Sequence, residues 1–159
     1  MRNSRTGWKI LWVACVFMLP ACTIPGRTTP QAPDELQGGI LATFAVNGEQ
    51  FRVWVTNETT IQQIRDLQAG ESMANIPNGV IRRGPGPGNY NAPYNWHLDP
   101  QEIEMAEMTI ELCDGAPSYV EENIAEFVDT VGRYCPWSAE LENLQDLSGQ
   151  QQPIKEVLG

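Results

Sequence analysis

The chain is short of basic residues and has almost no histidine. Ten Lys and Arg face twenty Asp and Glu over 159 residues, a formal net charge of −10 at pH 7, and His97 is the single histidine. A surface of that sign repels nucleic acid and anionic lipid headgroups, so no nucleic-acid partner is expected. With one histidine, a metal centre needing two imidazoles is excluded, and no EF-hand spacing of acids is present. A nucleophilic serine is missing too: Ser72, Ser118 and Ser138 lack the local pattern of one. The Gly- and Pro-rich stretch Gly84–Pro93 is not a phosphate loop. Such a loop works through successive backbone N–H donors, and proline has none. The chain is therefore expected to be non-enzymatic.

What is present begins with a targeting segment. Met1–Lys9 is a short basic region, followed by an apolar run from Ile10 to Leu19. That run is too short for a membrane-spanning helix, which needs about 20 residues, so residues 1–21 are expected to be a signal peptide. Its end, Leu19-Pro20-Ala21-Cys22, resembles the bacterial lipoprotein signal. The resemblance implies cleavage before Cys22 and acylation of that cysteine, an anchor stable enough to hold a protein at a membrane. No aspartate follows Cys22, so the expected location is the cell envelope, at the outer membrane if the cell has two, facing periplasm or exterior. Loss of Arg2, Arg5 and Lys9 leaves seven basic against twenty acidic residues, a net of −13. Residues 22–39 are rich in Pro and Thr, without apolar periodicity, and are expected to be a tether. Residues 40–146 are expected to form the globular domain, and 147–159 a polar tail.

Within the domain, two β-prone runs flank Asn47-Gly48, the strongest short hairpin signal. A two-residue turn pairs Val46 with Glu49, Phe44 with Phe51 and Ala42 with Val53. One face then carries Ile40, Ala42, Phe44, Val46, Phe51, Val53 and Val55, and the other is mainly solvated, with Trp54 under a loop. Asn57 or Thr59 caps a helix whose stripe is Ile61, Ile64 and Leu67, ended by Gly70. Glu71–Asn78 is expected as loop, Val80–Arg83 as a short strand, and Gly84–Pro93 as a long loop.

From Ile103 to Cys113 the alternation predicts a strand with Ala106, Met108, Ile110 and Leu112 on one face. Ile103 and Met105 fall out of phase with it, which predicts a bulge near Met105. Ser118-x-x-Glu121 predicts a capped helix with Val120, Ile124, Phe127, Val128 and Val131 inward. Tyr134–Leu144 is expected as the last strand. Cys113 and Cys135 flank that helix and are expected to pair in an oxidising envelope. Cys135-Pro136-Trp137-Ser138 is not placed as a redox motif is, because it follows a helix instead of preceding one. His97-x-Asp99 puts two ligand-type side chains on one face, and with Glu107, Glu111 or Asp114 they could hold calcium or manganese. Asp99–Asp146 contains thirteen acidic residues and Arg133 alone as a base, a surface suited to a cation or a basic partner.

The blocks FRVWVTN, IPNGVI, YNWHLDP, AEMTIELCDG, YVEEN and YCPWS resemble a family of small secreted or lipid-anchored bacterial domains. The family carries the name calmodulin-binding protein, from its similarity to the amino-terminal domain of a eukaryotic calcium- and calmodulin-binding protein. The resemblance spans about residues 42–144 and implies a compact disulfide-bonded domain without an established catalytic site. The chain departs from the pattern at Glu58, where the family often has a proline.

Together these features predict a single α+β domain: a mainly antiparallel sheet of about four or five strands, two helices and one disulfide. Three functions are open. The first is a non-enzymatic envelope lipoprotein that binds a basic protein or small ligand through Tyr94, Trp96, His97, Asp99, Asp114 and Trp137. The second is a protease-inhibitor-like module presenting Gly84–Pro93. The third is a metal-dependent enzyme using His97, Asp99 and Asp114. No cofactor is expected beyond a possible calcium ion.

Overall fold

Asn47 and Gly48 close a hairpin as their backbone freedom allows, with φ of 52° and 84°, the positive values of a type I′ turn. They join β1 (Ile40–Val46) to β2 (Glu49–Val55). The register is the predicted one: Val46 faces Glu49, Phe44 faces Phe51 and Ala42 faces Val53. The predicted apolar face, Ile40 to Val55, is buried throughout.

The computed structural model describes residues 32–149. The signal peptide, Cys22, residues 23–31 of the tether and tail residues 150–159 lie outside the described residues. The described chain has six strands in two three-stranded antiparallel sheets, ordered β2-β1-β6 and β4-β3-β5. The further strands are β3 (Ile76–Arg83), β4 (Trp96–Ala106), β5 (Arg133–Tyr134) and β6 (Glu140–Asp146). The helices are α1 (Glu58–Ala69), α2 (Pro117–Glu122) and α3 (Ile124–Glu126), the last running into a π-helical turn, Phe127–Val131. The α+β class and the disulfide are as predicted, with the strands shared between two sheets. Both sheets, α1 and α2 contribute to one core cluster that includes Phe44, Phe51, Trp96, Ile103, Val120 and Tyr134.

The second face of the hairpin is less wet than expected. Leu41 and Trp54 lie under Ala32, Leu36, Tyr90 and Leu147, and the Trp54 indole N–H donates to Gly38 O at 3.0 Å. The packed unit thus takes in Ala32 and Leu36 from the expected tether and Leu147 from the expected tail.

Of the two candidate caps for α1, Asn57 is the one used. Its Oδ1 accepts from Thr59 N and Thr60 N at 3.0 and 3.3 Å, and Gly70 ends the helix at φ 75°.

β4 is displaced from the predicted strand: it starts at Trp96 and stops at Ala106. Ile81 faces Leu98 and Gly79 faces Ile103, so residues 99–102 bulge out opposite Val80. The bulge inverts the parity of the strand. Trp96 and Leu98 point inward before it, Ile103 and Met105 after it. Because side chains alternate with period two, a shift of phase moves a whole set to the other side. Met108, Ile110 and Leu112 lie beyond the end of β4 and are exposed, contrary to expectation. β3 is also longer than predicted, running through Pro77 and Gly79. A Cβ on Gly79 would sit 3.0 Å from both Ile103 Cγ1 and Leu98 Cδ1, so the bulged strand packs on bare backbone.

The predicted long helix is broken at Asn123, whose φ and ψ of −116° and 28° leave the helical region. Ser118 is not its cap. Instead the Ser118 N–H and hydroxyl donate to the Glu49 carboxylate at 2.8 and 2.7 Å, so a hairpin residue serves the helix start. The predicted last strand is two strands, β5 beside β3 and β6 beside β1. Residues 135–139 carry the chain from one sheet to the other. The Cys113–Cys135 disulfide sits at that crossing, with Cα atoms 5.1 Å apart, packed on Ile76.

Candidate functional site

The aromatic residues singled out in the sequence are mostly structural. Trp96 is fully buried, with ring centroids 5.5 Å from Tyr94, 5.8 Å from Phe51 and 5.0 Å from Tyr134. Tyr94 is half-buried and its hydroxyl donates to Glu49 Oε2 at 3.2 Å. Burial, then the Glu49 charge, pushes the Tyr94 phenol up to about 12. The same Glu49 carboxylate is held below its usual range, chiefly by the Ser118 hydroxyl.

The residues expected to share a metal are separated. His97 Nδ1 lies 2.7 Å from Gly84 O, so Nδ1 carries the proton that the carbonyl accepts, and the ring meets Tyr90 edge-on. Asp99 is paired with Arg82 at 3.1 Å. Asp114 Oδ1 accepts from Trp137 N at 2.9 Å, on the crossing between the sheets. Among the described residues no three His, Cys, Asp or Glu side chains converge on one point suited to a cation. The set His97, Asp99 and Asp114 is thereby corrected: each carboxylate serves a local bond, and the bulge at 99–102 turns β4 between them.

The loop 84–93 also turns inward. It is a succession of tight turns, with Asn89 N to Gly86 O at 3.0 Å, Asn91 N to Pro85 O at 2.9 Å and Ala92 N to Asn89 O at 3.0 Å. Tyr90 and Asn91 are buried. Asn91 Oδ1 accepts from Arg52 N and its Nδ2 donates to Trp96 O, both at 2.8 Å. This is a clamp joining β2 to β4.

The exposed apolar side chains lie elsewhere. Met108, Ile110 and Leu112 are 85%, 65% and 73% exposed, with Tyr119 at 50% and Trp137 at 41%. The segment leaves the sheet because Ile76 with Ala106 is the last pair of β3 and β4. Beyond it a 3-10 turn, Glu111–Cys113, is closed by Asp114 N to Glu111 O at 3.1 Å. Cys135 N donates to Cys113 O at 2.8 Å. The disulfide and the Asp114–Trp137 bond tie the Trp137 backbone to the end of this segment. A Cβ on Gly115 would lie 3.0 Å from the Tyr119 ring, so Tyr119 borders the same stretch. Glu107 and Glu111 flank the apolar residues, exposed and without an ion pair among the described residues.

Two of the six residues predicted to bind, Asp114 and Trp137, fall on this surface. Met108, Ile110, Leu112 and Tyr119 were missed. The signal for the first three was present in the phase conflict of Ile103 and Met105, which places only one of the two sets inside.

The sequence profile of a family named for the N-terminal domain of calmodulin-binding protein 74 matches residues 40–147. The chain belongs to that N-terminal domain family. The match runs from the first residue of β1 to Leu147, through both sheets, the disulfide and the exposed segment. It agrees with the calmodulin-binding-protein likeness of the YNWHLDP, ELCDG and YCPWS blocks. No curated protein and no solved structure gives a significant match.

Proposed function

We propose that this domain is a non-catalytic protein-docking module, tethered to an envelope membrane by lipid on Cys22. Its contact surface is the segment 108–114 with Trp137 and Tyr119. The observation that carries this reading is the row Met108, Ile110 and Leu112, exposed on a segment that a disulfide holds in place. Contiguous exposed apolar residues mark interaction sites, and Met and aromatic side chains are enriched in them. Burying each such side chain against a partner stabilises by about 1.5–3 kcal/mol. A pinned loop loses less freedom on binding than a loose one. The flanking Glu107, Glu111 and Asp114 disfavour an anionic bilayer and favour a partner with apolar pockets and a basic rim.

The docking surface is tested by placing a photocrosslinking side chain at position 112 or 137 in the full chain in cells, with position 62 on α1 as control. A discrete protein adduct at 112 and 137, absent at 62 and weakened by added salt, supports the reading. Equal adducts at 62, or adducts to lipid alone, defeat it. The anchor is tested by labelling with a radioactive fatty acid. Wild type should incorporate it and Cys22→Ser should not, and label retained in Cys22→Ser removes the anchor from the proposal.

A further inference from the structure

An edge strand leaves a row of unpaired backbone N–H and C=O groups, and proteins usually cover it. This fold covers its edges with specific side chains. On β2, Arg52 N donates to Asn91 Oδ1 at 2.8 Å and Thr56 N to Pro100 O at 3.1 Å. On β4, Ile103 O accepts from the Thr60 hydroxyl and Met105 N donates to Gln63 Oε1 at 3.2 Å. β5 is only two residues long.

β6 differs. It pairs with β1 on one side, with a bulge that leaves Glu142 without a partner there, and over Glu140–Leu144 no group among the described residues bonds the other side. An open cleft of about 340 Å³ runs along it. Leu67, Gln68 and Asn75 form one wall, and Ala139, Leu141 and Asn143 are on the β6 side. Asn75 Nδ2 closes one end by donating to Ala139 O at 3.0 Å. Arg65 holds α1 near the other end through Asp146 at 2.6 Å. Inside, Asn143 Nδ2 is buried without an acceptor among the described residues, a state that costs about 1–3 kcal/mol. Glu140 and Glu142 are exposed on the strand, and Glu140 has no ion pair among the described residues.

We propose that the outer edge of β6 and this cleft bind an extended basic peptide segment of another protein, which adds a fourth strand to the β2-β1-β6 sheet. Main-chain hydrogen bonds to Glu140–Leu144 supply the affinity, and pockets for alternate side chains supply the choice of sequence. Leu67 and Leu141 receive an apolar side chain. Lys or Arg on the opposite face meets Glu140 and Glu142. A second copy of this chain is a poorer occupant, because antiparallel pairing of two β6 edges brings acids toward acids, and facing like charges destabilise a strand pair. The site shares no residue with segment 108–114 and stands apart from the docking surface there.

The test is titration of the isotope-labelled full chain in detergent with an acetylated heptapeptide of alternating Lys and Val. Its controls are an alternating Glu and Val peptide and a Lys and Val peptide with a central proline. Saturable amide shifts and slowed hydrogen exchange within Glu140–Leu144 are expected for the first peptide only. The exposed double substitution Glu140→Lys/Glu142→Lys should weaken binding at least about tenfold. Shifts that map away from β6, equal binding of the proline peptide, or unchanged affinity in the double variant would each overturn the proposal. So would protection of β6 through dimerisation that grows with protein concentration and needs no peptide.

Discussion

Asn91 is the sharpest point at which to test that the loop 84–93 is a clamp and not a recognition loop. It is 1% exposed and bonds Arg52 N on β2 and Trp96 O on β4, both at 2.8 Å. Asn91→Ala leaves a donor and an acceptor without partners. The cost of each buried unsatisfied group is about 1–3 kcal/mol. Trp96 O is deeply buried and Arg52 N partly so, which puts the expected loss at about 2–4 kcal/mol, a large share of the 5–15 kcal/mol typical of a domain. Asn91→Asp separates the two bonds: it keeps an acceptor for Arg52 N but loses the donor to Trp96 O and buries a charge, so it should cost at least as much. Asn89→Ala, on the exposed side of the same loop, should cost only about 1 kcal/mol, from the left-handed backbone of that residue, φ 56°. Urea unfolding followed by tryptophan fluorescence reads all three, with an unchanged slope confirming that the midpoint reports stability. A loss below about 0.5 kcal/mol in Asn91→Ala would refute the clamp.

The exposed row makes the opposite prediction: Met108→Ser/Ile110→Ser/Leu112→Ser should unfold within about 0.5 kcal/mol of wild type, while partner crosslinking at Trp137 is lost; a large drop in the urea midpoint would place these residues in the core. Removing the disulfide with Cys113→Ala/Cys135→Ala should cost about 3 kcal/mol, from the loop that the 22-residue separation closes, read by the same urea assay with and without reductant. Acid should destabilise the fold through carboxylates held below their usual range. The Ser148 hydroxyl and N–H, then Arg65, hold Asp146 down to about 2, and Glu49 is lowered by Ser118. A depressed folded pKa gives stability that is full above the unfolded value, about 4, and is lost as pH falls through the folded one. The thermal midpoint should therefore fall from pH 4.5 toward about 2, and Glu49→Gln/Asp146→Asn should flatten that fall; parallel curves would contradict it.

Local chemistry was legible wherever neighbours in the chain decide the outcome. Asn47-Gly48 dictated its turn and hence the register of β1 with β2. Asn57 and Gly70 bounded α1. Cys113 and Cys135 paired as two cysteines in a small domain do. The apolar alternation of Ile40 to Val55 named its buried face, because a two-residue turn leaves no freedom of phase. Tertiary structure decided what alternation alone left ambiguous. The bulge at residues 99–102 exists because β3 brings Gly79 and Ile81 against Ile103 and Leu98. Only that pairing chooses between the set Ile103, Met105 and the set Met108, Ile110, Leu112. The same step turned Trp96 from a candidate binder into core, since the strand that carries it pairs with β3. Hydrophobic residues announce that they bury or bind, but which of the two depends on the partner strand that happens to end at Ile76.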